Sequence, residues 1–489
     1  MGHSMASQIK KDFPETEFCG FVQTRQTYEF LTKEQKDFTY TSLLLEEDIH
    51  KKLFTEKIDL DYLKWLEKEY GIPNLWPYLY IDRVLMNGQL VREYPYNKAM
   101  LSHEDMMRRV QVTAKEIIAF LDREKPEAVV FSVIGALGSR LLYEIAQRRG
   151  IKTINLEVSR IKNGMSFTDN YKTFTWVKKL FEEIQAGRKS ERREEAINFL
   201  REFRDKPEPF YAPAAPSYNN QAYRRSHLRF LAPKHLLFSI PWYTNTFLND
   251  LKRVKNNDYS DIFIWWTMWD KFKRKVRGLI GYTDLYSPVV EGEDFAFYPL
   301  HFDPEMTTML YAPYYTDQIQ VIKAAARSLP LRMKLYVKDH PAMTSYRTRS
   351  YYKELVKIPN VKLINSAVNG HDLARTAKLT ITITGTAGWE SILFKKPVIV
   401  FGDIYFMNIP GVKRCHGWEE LPYLVKEQLE EWKHDEETLV NYLSALLEDS
   451  VPVDYLNLWT SAKTMGEITD NEGMIALSRA LAAKLGLKK

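Results

Sequence analysis

Between Phe295 and Gly402, short β-branched runs alternate with helical stretches. "FAFYPL" precedes "YYTDQIQVIKAAARSLP", whose apolar positions Ile319, Ile322, Ala325 and Leu329 recur at helical spacing. "MKLYVK", "NVKLI", "LTITIT" and "PVIVFG" follow, separated by the helical stretches "SYRTRSYYKELVKI", "HDLARTA" and "AGWESILFK". Strands without polar alternation need apolar cover on both faces, and strand–helix alternation supplies it as a parallel sheet. The expectation is a doubly wound, Rossmann-like α/β unit.

A second unit of this kind lies upstream. "RRVQVTAKEIIAFLDREK" reads as a helix, "PEAVVFS" as a strand, "GSRLLYEIAQRRG" as a helix and "IKTINLE" as the next strand. With 489 residues the chain is too long for a single core. The expected division is a Rossmann-like domain over 1–175, a helical insertion or linker over 176–290, a second Rossmann-like domain over 291–415, and helices over 416–489. The segment 176–290 contains the Pro-rich "KPEPFYAPAAP" and then turns basic and aromatic. Two such domains in tandem bind ligand between them, where C-terminal strand ends face a shared cleft.

The two cysteines, Cys19 and Cys415, are far apart and in no metal spacing, which argues against a disulfide scaffold or zinc site and suits a reducing cytoplasm. The opening "MGHSMASQ" has no apolar signal core, looks partly like an appended cloning tag and is assigned no structural meaning. No apolar run reaches the roughly 18 residues needed to span a membrane.

The strand ends concentrate chemistry. "FAFYPL" leads into His301, Asp303 and Glu305, "MKLYVK" into Lys338, Asp339 and His340, "LTITIT" into Thr384, Gly385, Thr386 and Glu390, and "PVIVFG" into Asp403. Small residues at the start of the "AGWESILFK" helix let a phosphate approach unpaired backbone N–H groups. The plain alternative is a tight turn with Thr386 as an ordinary N-cap. Pro341 holds His340 extended, so its imidazole points out from the strand end, where it can stabilise or protonate a departing phosphate. The Gly-Lys-Ser/Thr loop and the G-x-G-x-x-G fingerprint are both absent, which disfavours ATPase and dinucleotide readings. In the first unit, Gly135, Gly138 and Ser139 resemble a loose phosphate or substrate loop. Glu157 and Asp169 are the candidate general bases for an acceptor hydroxyl, although either would serve equally to pair with an arginine.

Together "YPLHFDPEMTT", "DQIQVIKAAARSLP", "LYVKDHP" and "ITGTAGWESILFKKPVIVFGD" resemble the bacterial capsule polysaccharide biosynthesis proteins, a group that includes Kdo transferases. The His-Pro and Thr-Gly-Thr stretches are also similar to motifs of bacterial sialyltransferases of GT-B architecture. The likeness runs over about residues 294–412, with Lys-Asp-His-Pro where the family usually has Lys-Glu-His-Pro. It implies a GT-B-like glycosyltransferase with a C-terminal domain that binds a nucleotide-sugar donor, often CMP-linked, and an N-terminal domain that binds the acceptor. In that likeness His340 contacts the leaving phosphate, Thr384, Gly385 and Thr386 bind it, Glu390 lies near the ribose or base, and His301 and Glu305 line the donor pocket. Lys338 and Asp403 join the donor set by position. No cofactor is implied beyond the donor, and neither a DxD-type carboxylate pair nor a histidine cluster indicates a metal.

The other readings are a nucleotide-sugar epimerase or polyol-phosphate polymer transferase, and a non-catalytic glycan- or nucleotide-binding protein. Residues 221–280 carry twelve Lys or Arg against four Asp, interleaved with Trp, Phe and Leu. That mixture suits contact with an anionic membrane, and the plain alternative is a helical subdomain with a solvated basic face. The expected partners are a nucleotide sugar, a glycan or glycolipid acceptor and peripheral membrane, with no nucleic acid. The expected location is the cytoplasm, at or near the inner membrane face.

Overall fold

The computed structural model describes residues 1–71, 73–88, 98–208, 233–254, 259, 264–454, 458 and 465–488. The Pro-rich stretch and the start of the basic segment lie largely outside them. In the N-terminal unit, β1 (Gly20–Val22) pairs in parallel with β2 (Leu43–Leu45) as a separate two-stranded sheet. β3 (Ala128–Phe131) lies parallel to β4 (Lys152–Val158), joined by the Leu137–Arg148 helix. β4 then folds back as β5 (Gly164–Thr168), antiparallel to it. The reversal is made by Arg160, Lys162 and Asn163, all with positive φ, and is closed by the Ser159 hydroxyl donating to the Gly164 carbonyl. Positive φ is strained at residues other than glycine, so the surroundings must hold this turn in place.

The C-terminal unit follows the expected pattern closely. It comprises β6 (Phe295–Pro299), β7 (Lys334–Lys338), β8 (Val361–Ile364), β9 (Leu379–Thr382), β10 (Val398–Val400) and β11 (Val412–Arg414), in the spatial order β11-β10-β9-β6-β7-β8 with every pairing parallel. Counted within the unit this is 3-2-1-4-5-6, the Rossmann order. Ile381, Ile383, Leu335, Val337 and Ile399 are fully buried, which explains their unbroken apolar character. Two elements in this unit were not expected: β11, and the Met306–Tyr311 helix directly after the β6 loop.

The chain crosses between the units more often than the sequence divisions imply. Helices Thr175–Gln185 and Arg193–Asp205 pack Val177, Phe181, Ala196 and Leu200 against Tyr442 and Leu443 of the Glu436–Asp449 helix, next to Trp389. β12 (Val451–Pro452) then returns to the N-terminal sheet and pairs antiparallel with β5. The Glu472–Leu485 helix follows it, burying Met474, Leu477 and Leu481 against Met5 and Ile9. The first residues are thus part of a core: Gly2–Asp12 is a helix, because Met5 and Ile9 one turn apart supply an apolar stripe that the Glu472–Leu485 helix covers. Of the expected 176–290 insertion, the hairpin of Pro233–Val254 and Ile264–Ile280 is the basic, aromatic part.

Candidate active site at the strand ends

β6 and β9 are neighbours at the point where the strand order reverses, and the loops after them border the crevice such sheets use for ligands. His301, beyond β6, is a buried wedge between these loops. Its Nε2 accepts from the Thr384 backbone N–H at 3.2 Å and lies 3.1 Å from the Thr382 hydroxyl. Gln318 accepts from the His301 N–H at 2.7 Å and fixes the residue from behind. Burial, followed by the nearby His340 and the Arg347 charge, pushes the imidazole down to about 3, so it is neutral and acts as an acceptor. This contact accounts for Gly385, where a Cβ would come within 2.6 Å of the Thr382 hydroxyl oxygen and 3.1 Å of His301 Nε2. Gly388 is small for a related reason, since a Cβ there would press on Phe406, Thr382 and Val398.

The Thr386–Leu393 helix begins at Gly385, with no side-chain cap. Thr386 is therefore not the N-cap, and its hydroxyl accepts instead from the Arg160 guanidinium of the N-terminal unit. The strained β4–β5 turn thus delivers a cation to the end of a helix whose first N–H groups are open by construction. Glu157, at the end of β4, accepts from the Tyr311 hydroxyl at 3.4 Å, and Arg160 lies nearby. Burial outweighs both and raises its carboxyl to about 7. Glu305 is also raised by burial, with Thr307, Arg160 and Arg83 pulling the other way. Asp403 spans the cleft by pairing with Lys172 at 3.0 Å and Arg414 at 2.6 Å.

Beyond β7, the Ala342 N–H donates to His340 Nδ1 at 3.2 Å, so the imidazole proton resides on Nε2. Burial first, then Arg347 and Lys338, hold His340 down at about 3, leaving a neutral N–H donor at neutral pH. Lys338 is buried and donates to the Ser366 carbonyl at 3.1 Å; burial lowers it to about 8, while Asp339 and Glu390 oppose the shift. Asp339 anchors the loop as a fully buried carboxylate that accepts from Tyr286 and Tyr352, each at 3.0 Å, and faces Arg347 at 3.5 Å. Arg347 in turn donates to the His301 carbonyl, coupling the β6 and β7 loops. Glu390 pairs with His371 at 3.2 Å and is close to Lys338.

Two expectations from the N-terminal half meet a different arrangement. Asp169 follows an antiparallel strand, and since Glu157 pairs with Ser166 the reversal carries it roughly 10 Å along the sheet from Glu157. There it accepts from the Thr175 hydroxyl. At Gly135, Gly138 and Ser139 the helix start is already filled by the protein's own carboxylates. Asp82 accepts from the Leu137 N–H at 3.1 Å, and buried Glu46 takes a backbone hydrogen bond from Gly138. Ser139 bonds the Ala136 N–H at 3.2 Å, and Met306 crowds Gly135. A phosphate would have to displace two carboxyl groups to bind at this helix start.

Tyr311, Arg83 and Arg347 join the site without having been singled out in the sequence. Tyr311 sits on the unexpected Met306–Tyr311 helix, Arg83 lies in an N-terminal helix remote in sequence, and Arg347 is one basic residue among several in "SYRTRS". Among the described residues no group of three or more His, Cys, Asp or Glu is arranged to hold a metal ion.

A six-stranded Rossmann sheet whose strand ends face a second α/β unit defines a GT-B-like fold. Residues 299–421 match the family model for capsule polysaccharide biosynthesis protein, a span that includes His301, Glu305, Lys338, His340, Thr384, Gly385, Thr386, Glu390 and Asp403. Protein FixF of Sinorhizobium fredii (strain NBRC 101917 / NGR234) is 29% identical over 121 residues, which is 24% of this chain and 29% of FixF. The chain therefore aligns with less than a third of that relative's length. Among solved structures, the Thermosulfurimonas dismutans KpsC beta Kdo 2,7 transferase superposes with a TM-score of 0.35 at 10% identity, covering 68% of this chain and 80% of that one. The KpsC beta Kdo 2,4 transferase gives 0.36 at 12%, covering 65% and 79%.

Proposed function

We propose that the protein is a glycosyltransferase that moves a sugar from a nucleotide-sugar donor onto a glycan or glycolipid acceptor in capsule or other surface polysaccharide synthesis. What supports this reading is the Arg160 guanidinium reaching from the N-terminal unit to the open helix start at Thr386, next to a carboxylate raised to about 7 at Glu157, with the His340 Nε2–H donor at the end of β7. The acceptor hydroxyl attacks the anomeric carbon while Glu157 takes its proton. The bond from that carbon to the phosphate oxygen breaks with its electrons staying on oxygen. The developing charge meets Arg160, His340 and the Thr386 helix start. A CMP-linked ulosonic acid such as Kdo is the favoured donor, on the resemblance of the 294–412 motifs, and the reaction is read as metal-independent. The protein acts at the inner face of the membrane, where lipid-linked acceptors are exposed.

A thermal-shift series with CMP, UDP, GDP, dTDP and CDP tests the donor. A ligand at 100 times its Kd adds about 2.7 kcal/mol, readily seen in Tm. CMP is expected to give the largest rise, and indifference to all five nucleotides would sink the assignment.

A further inference from the structure

The hairpin of Pro233–Val254 and Ile264–Ile280 carries a broad apolar surface that is exposed to solvent. On its second helix Trp265, Trp266 and Trp269 are each more than half exposed, as is Phe272. Trp242, Phe247 and Leu251 of the first helix are exposed as well. An isolated exposed apolar residue is ordinary, but a continuous surface rich in tryptophan marks a contact. The second helix also bears Lys271, Lys273, Arg274, Lys275 and Arg277 against the single acid Asp270, which Arg274 holds at 2.8 Å. Lys271 lies 4.2 Å over the Trp242 ring, so cation and aromatic surface share one side.

We infer that this hairpin is a membrane-docking element that lays its tryptophan face into the headgroup region of an anionic phospholipid bilayer. Tryptophan rings favour that depth, lysine and arginine stems can reach from an apolar surface to lipid phosphates, and an excess of positive charge selects anionic lipid. Among the described residues no helix is long and apolar enough to cross a membrane, so the hairpin lies in the interface rather than spanning it. Its anchorage explains why the bilayer would be held near the cleft. Arg274 donates to the Tyr346 hydroxyl at 2.8 Å and Arg277 to the Tyr346 carbonyl at 2.6 Å, in the loop that follows His340. Between the helices Tyr259 stacks on His50 and on Arg109 of the N-terminal unit. The hairpin therefore touches both units, so docking it holds both at the lipid surface. This adds a surface to the transferase reading without depending on it.

The test is co-sedimentation of the full chain with vesicles of phosphatidylcholine alone and with phosphatidylglycerol added. Strong recovery on the anionic vesicles and weak recovery on the neutral ones is expected. Trp265→Ser, Trp266→Ser and Trp269→Ser combined should weaken binding by about tenfold or more, with the cooperative melt retained because each of these side chains is more than half exposed. Lys271→Gln, Lys273→Gln and Lys275→Gln should each weaken it about fivefold at low salt. Equal recovery on both vesicle types, or full binding by the tryptophan variant, would overturn the inference. So would a concentration-dependent dimer that the tryptophan variant abolishes, since a second copy would then be the occupant. The nucleotide Tm series, run on the same variants, reports separately on the transferase reading.

Discussion

Glu157 is held at odds with its charge. Burial raises it to about 7, and what keeps it from rising further is Arg160 followed by the Tyr311 hydroxyl. A base must be ionised to act, so kcat/KM should rise with pH through about 7 and fall away on the acid side. Tyr311→Phe removes a stabilising hydrogen bond and should move that limb to higher pH. Glu157→Gln should lower kcat by about 10²- to 10⁴-fold. The same substitution should affect stability in the opposite direction. Because the folded pKa lies above the unfolded one, the folded state binds the extra proton, and stability declines as pH climbs from about 4.5 to 7. Glu157→Gln should therefore melt higher than the parent at pH 8, and the difference should vanish by about pH 4; equal melting at both pH values would refute the buried-base account.

At the scale of elements, the loops after β6, β7 and β9 form one connected structure, with His301 between the outer two and Arg347 linking its carbonyl to Asp339. Gly385→Ala forces a Cβ against the Thr382 hydroxyl and His301, and should cost about 1–3 kcal/mol by denaturant melts. Arg347→Met leaves Asp339 buried without its cation and should cost about 3–5 kcal/mol. A loss in either variant too small to measure would mean that the loops are not coupled in this way. Most of this sheet was legible beforehand because buried parallel strands announce themselves by unbroken β-branched runs, as in "LTITIT". The Met306–Tyr311 helix and β11 were not, being too short to show a period. The position of Asp169 was not legible for a different reason, since "GMSFT" carries no signal of its direction and only the strained turn at Arg160, Lys162 and Asn163 reverses it. The open helix at Thr386 and the filled one at Leu137 look alike in sequence, because what distinguishes them, Asp82 and Glu46, is contributed from elsewhere in the chain.

At the scale of the whole molecule, the units are joined by polar contacts across the cleft, Arg160 to Thr386 and Lys172 to Asp403, and by crossings of the chain. The N-terminal sheet depends on β12 and the Glu472–Leu485 helix for one strand and much of one core. A chain ending at Asp449 should therefore melt at lower temperature than the full chain, exposing Met5, Ile9 and Phe167 and binding a hydrophobic dye at temperatures where the full chain does not. Retention of the parent melt would show that the N-terminal unit is self-sufficient.

That dependence has a consequence for how the protein comes into being. β5 leaves the ribosome roughly 280 residues before the strand that pairs with it. At about 5–20 residues per second, this leaves about 15–60 s during which the earliest-made half has an open sheet edge and an uncovered apolar face. The unit synthesised first is the last to be completed, so the Rossmann unit, whose strands all lie within Phe295–Arg414, can finish folding while its neighbour is still waiting. The nascent N-terminal half is then the stretch of this chain with most need of a chaperone.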